Sequence, residues 1–234
     1  MPTPPPPPAN RLLALLPPAD FRRLSPCLQA VTLPARRVLH EYRSPIDYVY
    51  FPTGGLVSAV TRMGDGAAIE VAAVGSEGVV GLTAFVGGES SPNELVVRVA
   101  GHGLRVAADV LLREAGKDGP LRRLLGLYHT AYATQVSYAA ACNGLHKVEQ
   151  RCCRWLLAAA DRVGSAVLPL THESLAATLG VRRASVTQAL RLLQQRGLVE
   201  NSRGVVRVVD RPGLEATSCE CYRAVKGEFT RLFG

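Results

Sequence analysis

Thr171, Arg182, Arg183, Ser185, Thr187, Gln188 and Arg191 fall within one stretch of the chain, and Arg203 follows between Gly197 and Gly204. Arginine can form paired hydrogen bonds to a guanine edge and glutamine to an adenine edge, while serine and threonine serve phosphate oxygens or the thymine methyl. The surrounding charge suits the same kind of partner. Lys147–Arg211 holds eleven Lys and Arg against five Asp and Glu, whereas the remainder holds sixteen against fourteen, so most of the formal net charge of +8 belongs to the C-terminal part. An anionic partner fits this excess, with nucleic acid, an anionic membrane or a merely solvated basic face as the alternatives that charge alone leaves open.

Other chemistry finds less support. Six cysteines, two of them adjacent at Cys152 and Cys153, do not form a disulfide framework and fit a reducing cytoplasm. Cys219-Glu-Cys221 together with Cys152-Cys153 offers thiolate ligands or a redox pair, but neighbouring cysteines on a helix point about 100° apart, and buried structural thiols are the commoner use. The histidines at 40, 102, 129, 146 and 172 show no His–His i, i+4 pair. No metal, no cofactor and no zinc enzyme are therefore expected. There is no Gly-x-Ser-x-Gly, phosphate loop or paired-carboxylate signature, so no catalytic residues are assigned and the chain does not read as an enzyme. An iron-sulfur sensor needs an N-terminal cysteine cluster, and only Cys27 lies there.

These side chains need elements to hold them. Residues 1–9 carry a run of five prolines and read as a disordered tail. Asn10 can cap a short helix to Leu16, halted by Pro17-Pro18, and Ala19–Leu28 can form another; Leu12–Leu16 is too short for a signal peptide, and no apolar run spans a membrane. Short β-branched and aromatic runs come next at Asp47–Phe51, Leu56–Thr61, Ala68–Val74, Leu95–Val99 and Leu104–Ala107, with glycine-rich breaks at Thr53–Gly55, Gly64–Gly66, Gly75–Gly78 and Gly101–Gly103. This spacing predicts an antiparallel β-roll, a cupin-like jelly roll, over residues 10–118, and excludes a Rossmann or all-helical reading there.

Residues 119–146 read as one long helix. Leu121, Leu125, Tyr128, Tyr132, Gln135, Ala139 and Cys142 recur at alternating spacings of 4 and 3, a heptad stripe. Such a stripe can pack on the chain's own β-domain or pair with its copy; Gln135 within it favours the copy, since a polar seam residue sets register. Residues 147–234 form the last domain. Lys147–Val163 is a helix stopped by Gly164, and Leu170–Leu193 reads as two short helices joined at Gly180, with Thr171 as N-cap and Leu175 and Leu179 inward. Val186, Ala189, Leu190 and Leu193 share one side of the second helix, leaving the polar residues outward, as in a recognition helix. Leu198–Glu200 and Val205–Asp210 then form a hairpin wing with Arg203 at its tip.

The order of β-roll, long helix and winged helix-turn-helix resembles the Crp/Fnr family of bacterial regulators. The resemblance is carried by Leu170–Leu198, by Leu33-Pro-Ala-Arg-Arg-Val-Leu-His and Tyr48-Val-Tyr-Phe-Pro, and by Gly75-Ser-Glu-Gly-Val-Val-Gly-Leu. It implies an α+β chain that binds double-stranded DNA at a palindromic operator as a homodimer, with RNA polymerase as a further partner and no membrane. Arg183, Ala184 and Gln188 stand where the best-known members read bases with Arg, Glu and Arg, and only Arg183 matches, so a different operator is implied. Members that bind a cyclic nucleotide hold its phosphate with an Arg-Ser pair, aligned here with Asn93-Glu94. Glu77, Asn93, Glu94 and Arg98 are thus candidates for an effector pocket whose ligand is not a cyclic nucleotide. Two other readings stay open: a thiol redox-sensing regulator, and a ligand-binding module acting on another protein.

Overall fold

In the computed structural model, residues 9–116 and 118–234 are described; the segment read as a disordered tail lies outside them over residues 1–8. Two short helices, α1 (Arg11–Ala14) and α2 (Pro18–Leu24), open the described chain. Asn10 caps α1 by accepting from the Leu13 N–H at 3.0 Å, and its amide donates to the Pro52 and Gly78 carbonyls, which fastens the helix to the β-domain.

Seven strands come next: β1 (Gln29–Leu33), β2 (Val38–His40), β3 (Tyr48–Pro52), β4 (Leu56–Arg62), β5 (Ala68–Val74), β6 (Glu94–Val99) and β7 (Gly101–Ala107). They pair antiparallel in two sheets, ordered β1-β7-β3 and β2-β6-β4-β5. Period-two alternation sends Leu95 and Val97 inward from β6, where they join Phe51, Val57, Val74 and Val106 in one core, while Val99 is buried with Leu56 and Ala73 against the C-terminal domain. The expected break at Gly101–Gly103 is instead part of β7. A Cβ at Gly101 would lie 2.2 Å from the Gly54 carbonyl oxygen, so this glycine serves close backbone approach rather than a turn.

After α3 (Ala108–Ala115), which the sequence pattern did not single out, α4 (Pro120–Leu145) runs along the β-roll. The heptad stripe does not wait for a second copy. Leu121, Leu125, Tyr128, Gln135, Ala139 and Cys142 are buried within the chain, and Tyr132 is partly so. Burying a side chain such as Leu125 stabilises by about 1.5–3 kcal/mol, and the chain's own elements supply the cover. Gln135 Nε2 donates to the Ala73 carbonyl at 3.2 Å and Gln135 Oε1 accepts from the Ala73 N–H at 3.3 Å, completing the backbone of β5 at its sheet edge. Its polarity satisfies a strand rather than setting a helix register.

The remaining elements are α5 (Val148–Val163), β8 (Val167–Pro169), α6 (His172–Leu179), α7 (Arg183–Gln195), β9 (Val199–Ser202), β10 (Val205–Val208), α8 (Arg211–Thr217) and α9 (Cys221–Phe233). The wing hairpin gains β8 as a third strand, in the order β8-β10-β9. α9 folds back along α4, where Phe229 and Phe233 stand 6.2 and 6.4 Å from the Tyr128 ring. Among the described residues no helix is long and apolar enough to cross a membrane.

Candidate nucleic-acid interface

The helix-turn-helix is built on a second core, to which Leu56, Ala73 and Val99 of the β-roll also belong. Leu175, Leu179, Val186, Ala189, Leu190 and Leu193 are buried with Leu156, Leu168, Leu198 and Val206. Thr171 caps α6, its hydroxyl accepting from the Ser174 N–H at 3.1 Å. Gly180 closes α6 at φ +61°, in left-handed space, and a Cβ there would meet Ile69 Cδ1 at 2.7 Å. The backbone sign favours glycine in the turn, and a side chain there would also have to displace the end of Ile69 on β5.

With its apolar side committed, α7 turns Arg183, Thr187, Gln188 and Arg191 to one shallow concave surface. Arg182, at the N-cap of α7, and Arg203, in the wing turn, are exposed; Ser185 is half-buried. The wing is fixed against this helix by a residue to which the sequence pattern assigned no role. His172 Nδ1 lies 2.9 Å from Thr187 Oγ1 and His172 Nε2 lies 2.8 Å from Asn201 Nδ2, joining α6, α7 and β9. With the Asn201 amide donating to Nε2, the ring proton sits on Nδ1 and is donated to Thr187. Gln194 Oε1 adds a bond from the Asn201 N–H at 3.3 Å. Arg196 and Arg207 are paired with Glu149 and Glu200. Among the described residues Arg182, Arg183, Arg191 and Arg203 have no such partner, which leaves their charge to an external anion.

Behind this surface the domain docks on the β-roll through buried polar contacts. Trp155 Nε1 donates to Glu70 Oε1 at 2.8 Å, and the Ser58 hydroxyl donates to Glu70 Oε2. Burial pushes the Glu70 carboxyl above its ordinary range, against those two hydrogen bonds. Arg162 Nε donates to Glu77 at 2.9 Å and Arg162 Nη2 to Gln135 Oε1 at 2.8 Å. Arg151, also buried, donates to the Leu179 carbonyl at the end of α6.

The four candidates for an effector pocket do not converge. Glu77 is engaged by Arg162. Glu94 is held by Arg62 at 2.8 Å on the surface. Arg98 lies beside Ser58 at 3.4 Å, on the face of β6 opposite Leu95. Only Asn93 reaches the cavity inside the β-roll, a space of about 210 Å³ lined by Val57, Ala59, Val74, Val80, Leu95 and Tyr132, and its amide donates to Thr61 at 2.8 Å.

The cysteines also group differently from the expectation. Cys152 and Cys153 are buried in the helix-turn-helix core, where burial pushes each thiol up to about 12. Cys219 and Cys221 meet Cys142 and His146 instead, and the ligand atoms of these four all lie within 4.8 Å of one another. The available signal was Cys142-x-x-x-His146, an i, i+4 spacing across the end of α4; a search for His–His pairs alone misses it.

Residues 150–217 match the family described as the Crp-like helix-turn-helix domain. No curated protein matches the chain by sequence. Among solved structures, FixK2 of Bradyrhizobium japonicum superposes with a TM-score of 0.71 at 18% identity, over 82% of this chain and 98% of that one. A transcriptional regulator of the Crp/Fnr family from Eubacterium rectale gives 0.66 at 20% identity, over 86% and 94%. A Crp-family regulator of Thermus thermophilus gives 0.66 at 21%, over 80% and 96%.

Proposed function

We propose that this chain, which has the fold of Crp/Fnr-type transcription regulators and a Crp-like helix-turn-helix domain, is a homodimeric regulator that reads a two-fold symmetric operator. The observation that carries the reading is the shared outward surface of Arg183, Thr187, Gln188 and Arg191, framed by Arg203 on a wing anchored through His172 and Asn201. Arg183 and Gln188 supply the base-reading hydrogen bonds, while Arg182, Arg191, Arg203, Thr171 and Ser185 face the phosphates. Binding-site selection with the full chain should return a symmetric motif with half-sites about one helical turn apart. Arg183→Ala and Gln188→Ala should each relax one base preference by about 1–3 kcal/mol. Selection that returns no symmetric motif removes the reading.

The dimer uses the other face of α4. Gly126, Thr130, Ala133, Ser137, Ala140 and Gly144 repeat at spacings of 4 and 3 on the side turned away from the β-roll, and a Cβ at Gly126 or Gly144 would meet nothing within 4 Å. The hydroxyls there are satisfied within the helix, Thr130 donating to the Gly126 carbonyl and Ser137 to that of Ala133. This leaves a small, neutral surface on which a second helix can lie closely. Ala133→Glu with Ser137→Glu should give monomers in sedimentation with weakened operator binding, and a dimer unaffected by both would redirect the interface. At a promoter such a dimer acts on RNA polymerase, and run-off transcription with purified polymerase reads whether it recruits or excludes the enzyme.

The effector is not a cyclic nucleotide. A buried cyclic phosphate must regain a cation for its lost hydration, and among the described residues the β-roll cavity has neither Arg nor Lys in its lining. Calorimetry with cyclic AMP and cyclic GMP should give no binding tighter than the millimolar range.

A further inference from the structure

We infer that Cys142, His146, Cys219 and Cys221 form a closed four-ligand metal site for a thiophilic divalent cation, with Zn²⁺ the best fit. The distances carry the assignment. With Zn–S near 2.3 Å and Zn–N near 2.0–2.1 Å, a tetrahedral centre sets its ligands about 3.8 Å apart for two sulfurs and about 3.6 Å for sulfur and nitrogen. Cys142 Sγ lies 3.5 Å from Cys219 Sγ, and Cys221 Sγ lies 3.6 Å from His146 Nδ1. The three cysteines are 0–3% exposed, so the donors enclose a small volume with no open position, as structural zinc sites do.

Two further features fit an ion held there. His146 presents Nδ1 to the cluster while its Nε2 lies 3.3 Å from Glu220 Oε2, the carboxylate–imidazole arrangement that orients metal-bound histidines. Three thiolates, a neutral imidazole and a divalent cation sum to one negative charge, and two arginines of α5, Arg151 buried and Arg154 half-buried, stand by the cluster. Among the described residues the Nε atoms of Arg151 and Arg154 are both buried without a hydrogen-bond partner.

The site joins the end of α4, where Cys142 lies in the last turn and His146 is the residue just beyond it, to the α8–α9 junction, which supplies Cys219 and Cys221. His146 is also the C-cap of α4, in extended conformation, immediately before Lys147 caps α5. A metal here therefore fixes the bend between the long helix and the helix-turn-helix domain, and ties both to the C-terminal helix that covers Tyr128.

The test uses the full chain purified under reducing conditions. Elemental analysis should find close to one zinc per chain. After the zinc is stripped, Co²⁺ should produce the d–d and thiolate charge-transfer absorption of a tetrahedral thiolate centre, and Zn²⁺ should abolish it. Cys221→Ser and His146→Ala should lose that spectrum while Cys27→Ser keeps it. Glu220→Gln should weaken the metal by about 10- to 100-fold, as loss of an orienting partner does. Trace metal with no cobalt spectrum from the unsubstituted, folded protein overturns the assignment, whatever the variants do. So does a Cys142–Cys219 disulfide in protein whose reduced form takes up no metal. None of these readouts involves DNA, so their failure is distinct from failure of the regulator reading.

Discussion

Arg162→Met tests whether the winged domain is held on the β-roll by charge. Arg162 Nε meets Glu77 at 2.9 Å and Nη2 meets Gln135 Oε1 at 2.8 Å, with the Arg162 and Glu77 side chains 9% and 12% exposed. Removing the guanidinium leaves Glu77, among the described residues, with only the Gly75 N–H, at 3.2 Å, as a donor. Breaking one partner of a buried pair costs about 3–5 kcal/mol, most of it from the uncompensated charge that remains. The residual exposure of both groups places the expected loss at the lower end, about 3 kcal/mol. Glu77→Gln combined with Arg162→Met removes that charge, and the double variant should lose no more than about 1.5 kcal/mol, the size of an ordinary hydrogen bond. Urea unfolding followed by fluorescence measures this directly, because Trp155 is the single tryptophan and sits at the same interface. A single-variant loss below about 1 kcal/mol, typical of exposed pairs, would refute the reasoning. Additive losses in the double variant would refute it too, since the two residues would then not be coupled.

Three further outcomes are expected. Gly180→Ala combines left-handed strain with a contact against Ile69 and should cost more than the roughly 1 kcal/mol of strain alone; thermal unfolding within error of the unsubstituted protein would show that the turn relaxes freely. Burial raises the folded-state pKa of Glu70, so its contribution to stability is full below the unfolded carboxyl pKa and is lost as pH rises through the folded value. Glu70→Gln should therefore gain stability relative to the unsubstituted protein as pH rises above the ordinary carboxylate range, and a pH-independent difference in urea midpoints would contradict this. Arg203→Ala should weaken binding to all DNA sequences alike and lower the salt slope by about one counterion; a change in base preference at one operator position would instead place Arg203 at a base edge.

Local pattern was enough for much of this fold. The short β-branched and aromatic runs of residues 47–107 are separated by glycine-rich breaks, Asn10 and Thr171 are cap residues, and Leu175, Leu179, Val186, Leu190 and Leu193 mark inward faces at helical spacing. Each of these signals is written within a few residues and depends only on backbone geometry. The outward set of α7 was legible for the same reason: once the apolar side is assigned, the polar side is assigned with it.

Which surfaces meet was decided by the tertiary structure. A heptad stripe states that one side of a helix is buried but not what buries it, and α9, with Phe229 and Phe233, carries no long-range signal that it returns to Tyr128. Gln135 read as a register device because its partner, the Ala73 backbone, lies 62 positions away. Neither the parity of β6 nor the turn after β5 tells which face of the β-roll meets the next domain, so Arg98 and Glu77, expected at a ligand, are occupied by Ser58 and Arg162. Cys142 and Cys219 are 77 positions apart, and only the return of the chain after α8 brings their sulfurs within 3.5 Å. Residue types and local spacing are fixed by covalent order, whereas the distance between remote side chains is fixed only when the core packs, and ion pairs, cavities and metal centres depend on that distance.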